Sequence, residues 1–126
     1  MAWTHGEFYW NELMTRDVED AKRFYGNLLG WTFDGMPMGD GKTYCVAKQG
    51  AEMVGGFFDI SAPEFEQLQE SWVSYIAVDD VDARAAKATQ AGAKLMKPAF
   101  DIPEVGRVAM LLDPGDAFIA LITPAN

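Results

Sequence analysis

The chain has 126 residues, enough for one compact domain, and its 49% hydrophobic and 23% charged residues indicate a globular protein, not a disordered one. The net charge of −9 would repel nucleic acid and anionic lipid, so we expect neither nucleic acid nor a membrane as a partner. A single cysteine cannot form an internal disulfide, and no apolar stretch approaches the roughly 18 residues that span a bilayer. These features predict a soluble, cytoplasmic protein.

The first predicted elements are a strand and a helix. An extended run from Tyr9 to Thr15 leads to Asp17, whose carboxylate can cap a helix by accepting free backbone N–H groups. Apolar residues then recur at helical spacing as far as Gly30, which suits a left-handed C-cap. Turn-forming residues separate three strands that are predicted to follow, at 31–36, 42–49 and 52–60.

The second half of the chain repeats this order. The extended run from Trp72 to Ala77 precedes Asp80, which lies 80 − 17 = 63 positions after Asp17, and Gly92 ends the second helix. Three more strands are predicted at 94–101, 105–112 and 117–123. The repeat predicts one domain, 1–126, with two βαβββ modules: module one at 7–60, a linker at 61–71 and module two at 72–124.

In this order, the motifs resemble those of the vicinal-oxygen-chelate superfamily, which contains glyoxalase I, bleomycin-resistance proteins and extradiol dioxygenases. The resemblance covers nearly the whole chain and extends to an uncharacterised glyoxalase-like branch of the superfamily. The segments that carry it are Asp17–Tyr25, Leu29–Trp31, Val78–Ala83, Asp101–Arg107 and Asp113–Asp116. It implies an α+β fold in which the two βαβββ modules form a cupped mixed sheet with the helices on its convex face. It also implies a homodimer, because family members of this length commonly pair.

Enzymes of this superfamily generally bind a divalent cation through His, Glu or Gln on the first and last strands of each module. The resemblance assigns these ligand positions to Trp10 and Val73, and to positions near Gly55 and Ala120. None of these four side chains coordinates a metal, and their immediate neighbours supply no His, Cys, Asp or Glu. We therefore expect no metal ligands and no cofactor, and we expect His5, the single histidine, at the surface.

Period-two alternation predicts which side chains line the cup. If Trp10 faces the cup, Glu12 faces it too, and the complete predicted ligand-binding set is Trp10, Glu12, Met14, Met53, Phe57, Val73, Tyr75, Phe118 and Ala120. Apolar walls with a few polar groups, here Glu12 and Tyr75, are typical of small-molecule sites. Glu12 is the candidate catalytic residue, although a carboxylate at the rim, in water, is the alternative. The adjacent Gly55 and Gly56 predict a bulge or a close approach.

The leading functional hypothesis is metal-independent binding of a small hydrophobic or aromatic molecule in the cup, as in the drug-sequestering proteins that the chain resembles. The alternative is a glyoxalase-like lyase, isomerase or dioxygenase that uses a non-standard metal site or acid–base chemistry at Glu12. A third possibility is an interaction module whose cup is filled by its own side chains. A small-molecule ligand and a second copy of the chain are the expected partners.

Overall fold

The computed structural model of the chain describes residues 3–39 and 41–125. The elements are β1 (Phe8–Thr15), α1 (Val18–Leu29), β2 (Thr32–Pro37), β3 (Thr43–Gln49), β4 (Glu52–Asp59), β5 (Ser71–Ala77), α2 (Val81–Gln90), β6 (Lys94–Ile102), β7 (Gly106–Leu112) and β8 (Phe118–Pro124). A short 3-10 helix, Pro63–Phe65, lies between β4 and β5. This order confirms the predicted α+β class and the two βαβββ modules.

The chain divides into two compact units. The first unit is residues 11–72, and the second contains the described residues up to Trp10 and from Val73 onwards. In the first unit the strand order is β2-β3-β4-β1, with β1 parallel to β4 and the other neighbours antiparallel. In the second unit the order is β5-β8-β7-β6, with β5 parallel to β8. The repeated sequence thus folds into two sets of four strands with matching mixed topology.

Both helices begin and end where their capping residues predict. The Asp17 carboxylate accepts the backbone N–H of Asp20 at 3.0 Å, and Gly30 at the other end of α1 has φ of 77°. The Asp80 carboxylate accepts the N–H of Ala83 at 3.1 Å to start α2. Neither helix in the described part of the chain is long and apolar enough to cross a membrane.

Each helix covers one face of its own unit's sheet. In the first unit α1 contributes Ala21 to a core with Leu13, Cys45 and Phe57. In the second unit α2 packs on β6, β7 and β8 and forms a core of Val78, Val81, Ala85 and Ala109. Burial raises the pKa of the Cys45 thiol above 9.0, so this cysteine serves as a small apolar core residue.

The predicted linker is held against the first unit by Arg16. Its guanidinium donates to the carbonyl oxygens of Phe65, Glu66 and Leu68 at 3.2, 3.3 and 2.6 Å. The side chains of Phe65 and Leu68 are buried, each with 6% exposure. The segment between the two modules therefore packs as part of the first unit instead of acting as a free spacer.

In the second unit, residues before β1 pair with the chain near Asp79. Gly6 N–H donates to the Ala77 carbonyl at 2.7 Å, and the backbone N–H of Asp79 donates to His5 Nδ1 at 3.0 Å. His5 is exposed, as expected for a surface residue. Arg84 donates two hydrogen bonds to the Asp79 carboxylate, at 2.9 and 3.0 Å, and these bonds hold the pKa of Asp79 at about 2, below the ordinary 3.8.

We expect Arg84→Gln to return the pKa of Asp79 towards 3.8, because the substitution removes the guanidinium that stabilises the carboxylate. A depressed carboxyl pKa contributes stability that is present above pH 3.8 and is lost as the pH falls towards about 2. Carboxyl-carbon NMR titration measures the shift directly. Arg107→Gln is the control, because Arg107 binds Asp82 and should leave Asp79 unchanged. An unchanged Asp79 titration in Arg84→Gln would contradict the assignment.

Candidate functional site

Glu12 lies on the face of the first unit's sheet that is turned away from α1. In the register of β1 with β4, Leu13 pairs with Phe57 in the helix-covered core, whereas Glu12 pairs with Gly56. Because neighbouring strand residues point to opposite faces, Glu12 points away from that core. We call this surface the helix-free face; in the first unit it comprises Glu12, Met14, Tyr44, Val46, Gly56 and Phe58.

Glu12 is a buried carboxylate with a tyrosine as its donor. Its residue exposure is 3%, and the Tyr44 hydroxyl donates to Glu12 Oε1 at 2.7 Å. An O–H···O bond of this length to a carboxylate is in the range of charge-assisted hydrogen bonds. The surrounding side chains of Met14, Val46 and Phe58 are apolar and buried. The arrangement is therefore a carboxylate–phenol pair set in an apolar wall.

Gly56 makes room for this pair. A Cβ atom at position 56 would overlap the hydroxyl and the ring atoms of Tyr44, so only glycine allows the phenol to reach Glu12. At the adjacent Gly55, a Cβ atom would lie 2.8 Å from the Asn11 carbonyl oxygen of β1. The close approach predicted from the two glycines is confirmed, and the approaching groups are a side chain at Gly56 and backbone at Gly55.

The prediction that Phe57 lines the cup together with Glu12 is wrong. Phe57 is 1% exposed and packs with Ala21 and Cys45 under α1, on the opposite face from Glu12. The cause is an extra residue in β4: Ala47 pairs with Gly55 but Lys48 pairs with Met53, so Val54 is skipped. Met53 and Phe57 therefore lie on opposite faces of the sheet, although strict alternation from Met53 would place them on the same face.

The other predicted residues of the first unit differ in exposure. Met14 is fully buried on the helix-free face, beside Glu12 in β1. Met53 pairs with Lys48 on that same face but is 62% exposed. The structure thus brings together Glu12 and Met14 among the predicted residues, adds Tyr44 and Gly56 to them, and leaves Met53 at the surface.

In the second unit four predicted residues share the face turned away from α2. Tyr75 pairs with Ala120, whereas their neighbours Ile76 and Leu121 pack against the core under α2. By alternation Val73 and Phe118 lie on the same face as Tyr75 and Ala120. Val73, Tyr75 and Ala120 are buried and Phe118 is half-buried.

Trp10, also half-buried, lies on the same side of β1 as Glu12. The role of Trp10 and of these four residues in ligand binding stays a prediction.

The residues at this face do not fit the divalent metal site that the superfamily resemblance implies. Gly56, not Gly55, lies opposite Glu12, and the space in front of Gly56 is filled by the Tyr44 phenol. Across residues 3–39 and 41–125, no three His, Cys, Asp or Glu side chains come together closely enough to hold a metal ion. A divalent site needs about three such ligands, and the pair supplies one carboxylate and one phenol.

Tyr44 is the functional candidate that sequence reasoning missed. It lies on β3, 32 positions from Glu12, and the resemblance assigns no ligand to that strand. The available signal was Gly56, because a glycine inside a strand indicates that another group occupies the space of its side chain. A buried carboxylate with a hydroxyl donor can accept a ligand's hydrogen bond or take up its proton.

A family model described as "Glyoxalase/Bleomycin resistance protein/Dioxygenase superfamily" matches residues 8–121. CFP32 of Mycobacterium tuberculosis, described as a candidate glyoxylase, is 40% identical over 120 residues, which are 95% of this chain and 45% of CFP32. The anthracycline biosynthesis protein DnrV of Streptomyces peucetius is 25% identical over 123 residues, 89% of this chain and 45% of DnrV. The chain thus spans about half the length of these relatives.

Solved structures agree on the fold. A methylmalonyl-CoA epimerase variant from Streptomyces coelicolor, in complex with 2-nitronate-propionyl-CoA, matches with a TM-score of 0.64 and 14% identity, covering 98% of this chain and 100% of the epimerase. Methylmalonyl-CoA epimerase from Mycobacterium tuberculosis matches with a TM-score of 0.61 and 18% identity, covering 100% and 94%. The chain belongs to the glyoxalase/bleomycin resistance protein/dioxygenase superfamily.

Proposed function

We propose that the protein binds a small hydrophobic or aromatic molecule on the helix-free face, at the Glu12–Tyr44 pair, without a divalent metal. The observation that carries this proposal is a buried carboxylate, 3% exposed, whose partner is a phenol 2.7 Å away in an apolar wall. Small-molecule sites combine such walls with a few placed polar groups. The similarity to a protein named for anthracycline biosynthesis is consistent with an aromatic ligand.

The second candidate function is a glyoxalase-like lyase, isomerase or dioxygenase in which Glu12 acts as a general base. It is favoured by the hydrogen bond from Tyr44, which fixes the position of one carboxylate oxygen. A relative described as a candidate glyoxylase gives it further support. Binding without turnover in the wild-type protein, measured with small aromatic and carbonyl compounds, would favour the first function over the second.

Ligand-dependent stabilisation tests the proposed binding function. A ligand of the native state raises the free energy of unfolding by about 2.7 kcal/mol at one hundred times its Kd. We therefore expect members of a panel of small aromatic compounds to raise the melting temperature and to change tryptophan fluorescence. Both responses should weaken in Glu12→Gln, and the fluorescence change should weaken in Trp10→Phe if the indole lines the site. Stabilisation that is equal in wild type and Glu12→Gln would contradict binding at this pair.

We expect the purified protein to contain no stoichiometric Zn, Ni, Mn or Fe. The physical reason is the donor set at the pair, one carboxylate and one phenol, with glycine at the position opposite Glu12. Elemental analysis measures the metal content, and thermal scans with each ion added measure weak binding. About one metal ion per chain, or strong stabilisation by one of these ions, would contradict metal independence.

We also propose that the protein forms a homodimer through an apolar patch on the first unit. The patch consists of Phe24, Leu28, Val54 and Trp72, which are 36–62% exposed. The Phe24 ring contacts Tyr25, which contacts Trp72, which reaches Gly55 beside Val54, so the patch is continuous. Exposed apolar patches commonly mark interfaces. More than half of each long relative lies outside the match, which leaves room there for a second domain of this size.

Light scattering at micromolar concentration tests the dimer. We expect a mass of about twice the 13.9 kDa of one chain. Leu28→Lys should lower the mass towards the monomer, because it places a charge in the patch. Asn27→Lys is the matched control on an exposed neighbouring position of α1. A monomeric wild type would contradict the dimer, and a dimeric Leu28→Lys would contradict this patch as its interface. The cytoplasmic location stays a prediction.

A further inference from the structure

Phe65, from the linker at residues 61–71, covers one end of the helix-free face in the first unit. Its ring contacts the ring of Phe58 edge-on, with 5.4 Å between the centroids and 72° between the planes. Because Phe58 points to the helix-free face, Phe65 lies on the same side of the sheet as Glu12. Phe58 is two positions, about 7 Å, along β4 from Gly56, which pairs with Glu12. The Phe65 ring thus packs on the apolar wall one side-chain position away from the proposed ligand site.

The linker is anchored at both of its ends, so it can open between them while the sheet stays intact. At its start the Ile60 N–H donates to the Thr15 carbonyl at 2.9 Å, and at its end the Thr15 hydroxyl donates to Glu70 at 3.0 Å. Between these points the backbone forms turns and the short 3-10 helix Pro63–Phe65, and it pairs with no strand. Local opening takes place in segments of this kind. Such opening would move Phe65 off the wall without breaking a strand.

Arg16 holds the linker in its closed position. The side chain comes from the turn between β1 and α1, and one guanidinium nitrogen donates to the carbonyl oxygens of Phe65, Glu66 and Leu68. Hydrogen bonds from a charged donor are the stronger kind. Because Arg16 lies outside both elements, its removal should leave the strand and the helix unchanged. The fraction of molecules with an open linker should therefore depend on this side chain.

We propose that the linker is autoinhibitory: Phe65 occupies the part of the helix-free face that an aromatic ligand takes, and the ligand binds when the Arg16 bonds open. This inference rests on the proposed function, because it names the regulation of the same site. When only the open form binds, the apparent Kd is the intrinsic Kd divided by the open fraction. Loss of the contacts that close the linker should therefore strengthen binding, whereas loss of a residue that lines the site would weaken it.

Indole titrations followed by NMR of isotope-labelled methionine methyl groups test the proposal. Met14 is fully buried on the helix-free face, so an aromatic ring that binds there shifts its methyl resonance, whereas Met53, which is 62% exposed, reports non-specific contact. We expect Arg16→Gln and Phe65→Ala each to lower the Kd for indole at Met14 at least about tenfold. Arg23→Gln is the matched control and should keep the wild-type Kd, because its guanidinium is exposed and binds within α1.

Hydrogen exchange measures the opening without any ligand. The Leu68 N–H donates to the Phe65 carbonyl at 2.9 Å, and its exchange should be faster in Arg16→Gln, while exchange in β1 and β4 should stay at the wild-type rate. In the Phe65→Ala background, Arg16→Gln should change the Kd by less than about threefold, because no ring is left to displace. If Phe65→Ala does not fold, Phe65→Leu takes its place. Unchanged exchange at Leu68 in Arg16→Gln would overturn the role of Arg16.

The outcomes separate this inference from the proposed function. Equal Kd values for indole in wild type, Arg16→Gln and Phe65→Ala overturn the autoinhibition and leave binding at the helix-free face standing. Weaker binding in Phe65→Ala makes Phe65 a lining residue of the site and also overturns the autoinhibition alone. No shift of Met14 in any of these proteins, although exchange shows that the linker is open in Arg16→Gln, overturns the autoinhibition and the proposed function together.

Discussion

Gly56→Ala should destabilise the protein by about 2–4 kcal/mol, because the new Cβ atom forces the Tyr44 phenol away from Glu12. Glu12 would then lose the hydrogen bond from Tyr44, and removing a hydrogen bond from a buried polar group costs more than the bond itself contributes. In an ordinary strand position the same substitution stabilises by about 0.5–1 kcal/mol, since glycine is the more flexible residue. The expected change in the free energy of unfolding therefore has the opposite sign to the change that backbone propensity alone predicts.

A double-mutant cycle with Tyr44→Ala tests the cause of this loss. Removing the ring removes the clash, so in the Tyr44→Ala background Gly56→Ala should cost less than about 1 kcal/mol. Urea denaturation of the four proteins gives the free energies of unfolding that the cycle needs. A Gly56→Ala protein as stable as wild type would show that position 56 has no need of glycine, and the pair as described would be wrong.

Phe57→Ala should destabilise the protein by about 3–5 kcal/mol, the range measured for removal of a buried aromatic side chain. Phe57 is 1% exposed, and its ring lies 5.3 Å from the ring of Phe33 and 5.7 Å from that of Tyr25, measured between centroids. Alanine would leave a cavity in the core under α1. Urea denaturation measures the loss, and the control Phe8→Ala, at a position of β1 that is 71% exposed, should cost less than about 1 kcal/mol.

The same variant distinguishes the two faces of β4. If Phe57 lined the ligand site, Phe57→Ala would weaken ligand binding and change stability little. Because Phe57 packs under α1, we expect large destabilisation with nearly unchanged affinity for those aromatic probes that bind the wild type, measured at a temperature where the variant is folded. A strong loss of affinity with wild-type stability would contradict the register of β1 with β4.

The fold was predictable because its signals are local and occur twice. Asp17 and Asp80 are both helix caps in the structure, and the glycines after each helix have positive φ values of 77° and 103°. Each of these signals depends on a few neighbouring residues and on backbone geometry alone. Strand positions followed from alternation and turn residues in the same way, and their ends differ from the predicted ends by at most one residue.

The site was only partly predictable, because it depends on pairing across the sheet. Glu12 was identified from its own strand, but Tyr44 comes from β3, and no local pattern connects the two positions. Because Val54 is skipped in the pairing, Met53 and Phe57 lie on opposite faces of the sheet, although regular alternation would place them on the same face. The alternation of apolar and polar residues in the sequence does not reveal such a bulge. Gly56 carried the missing information, although a glycine indicates only that space is needed and not what fills it.

The three hydrogen bonds from Arg16 also affect the susceptibility of the chain to proteolysis. A segment of 11 positions with a short 3-10 helix and several glutamates, such as 61–71, would be an ordinary cleavage site for a glutamate-specific enzyme if it were free. Proteolysis requires local opening, and opening here breaks the bonds to three carbonyls and exposes Phe65 and Leu68. The connection between the duplicated halves is thereby protected, and replacing Arg16 should make residues 61–71 easier to cleave.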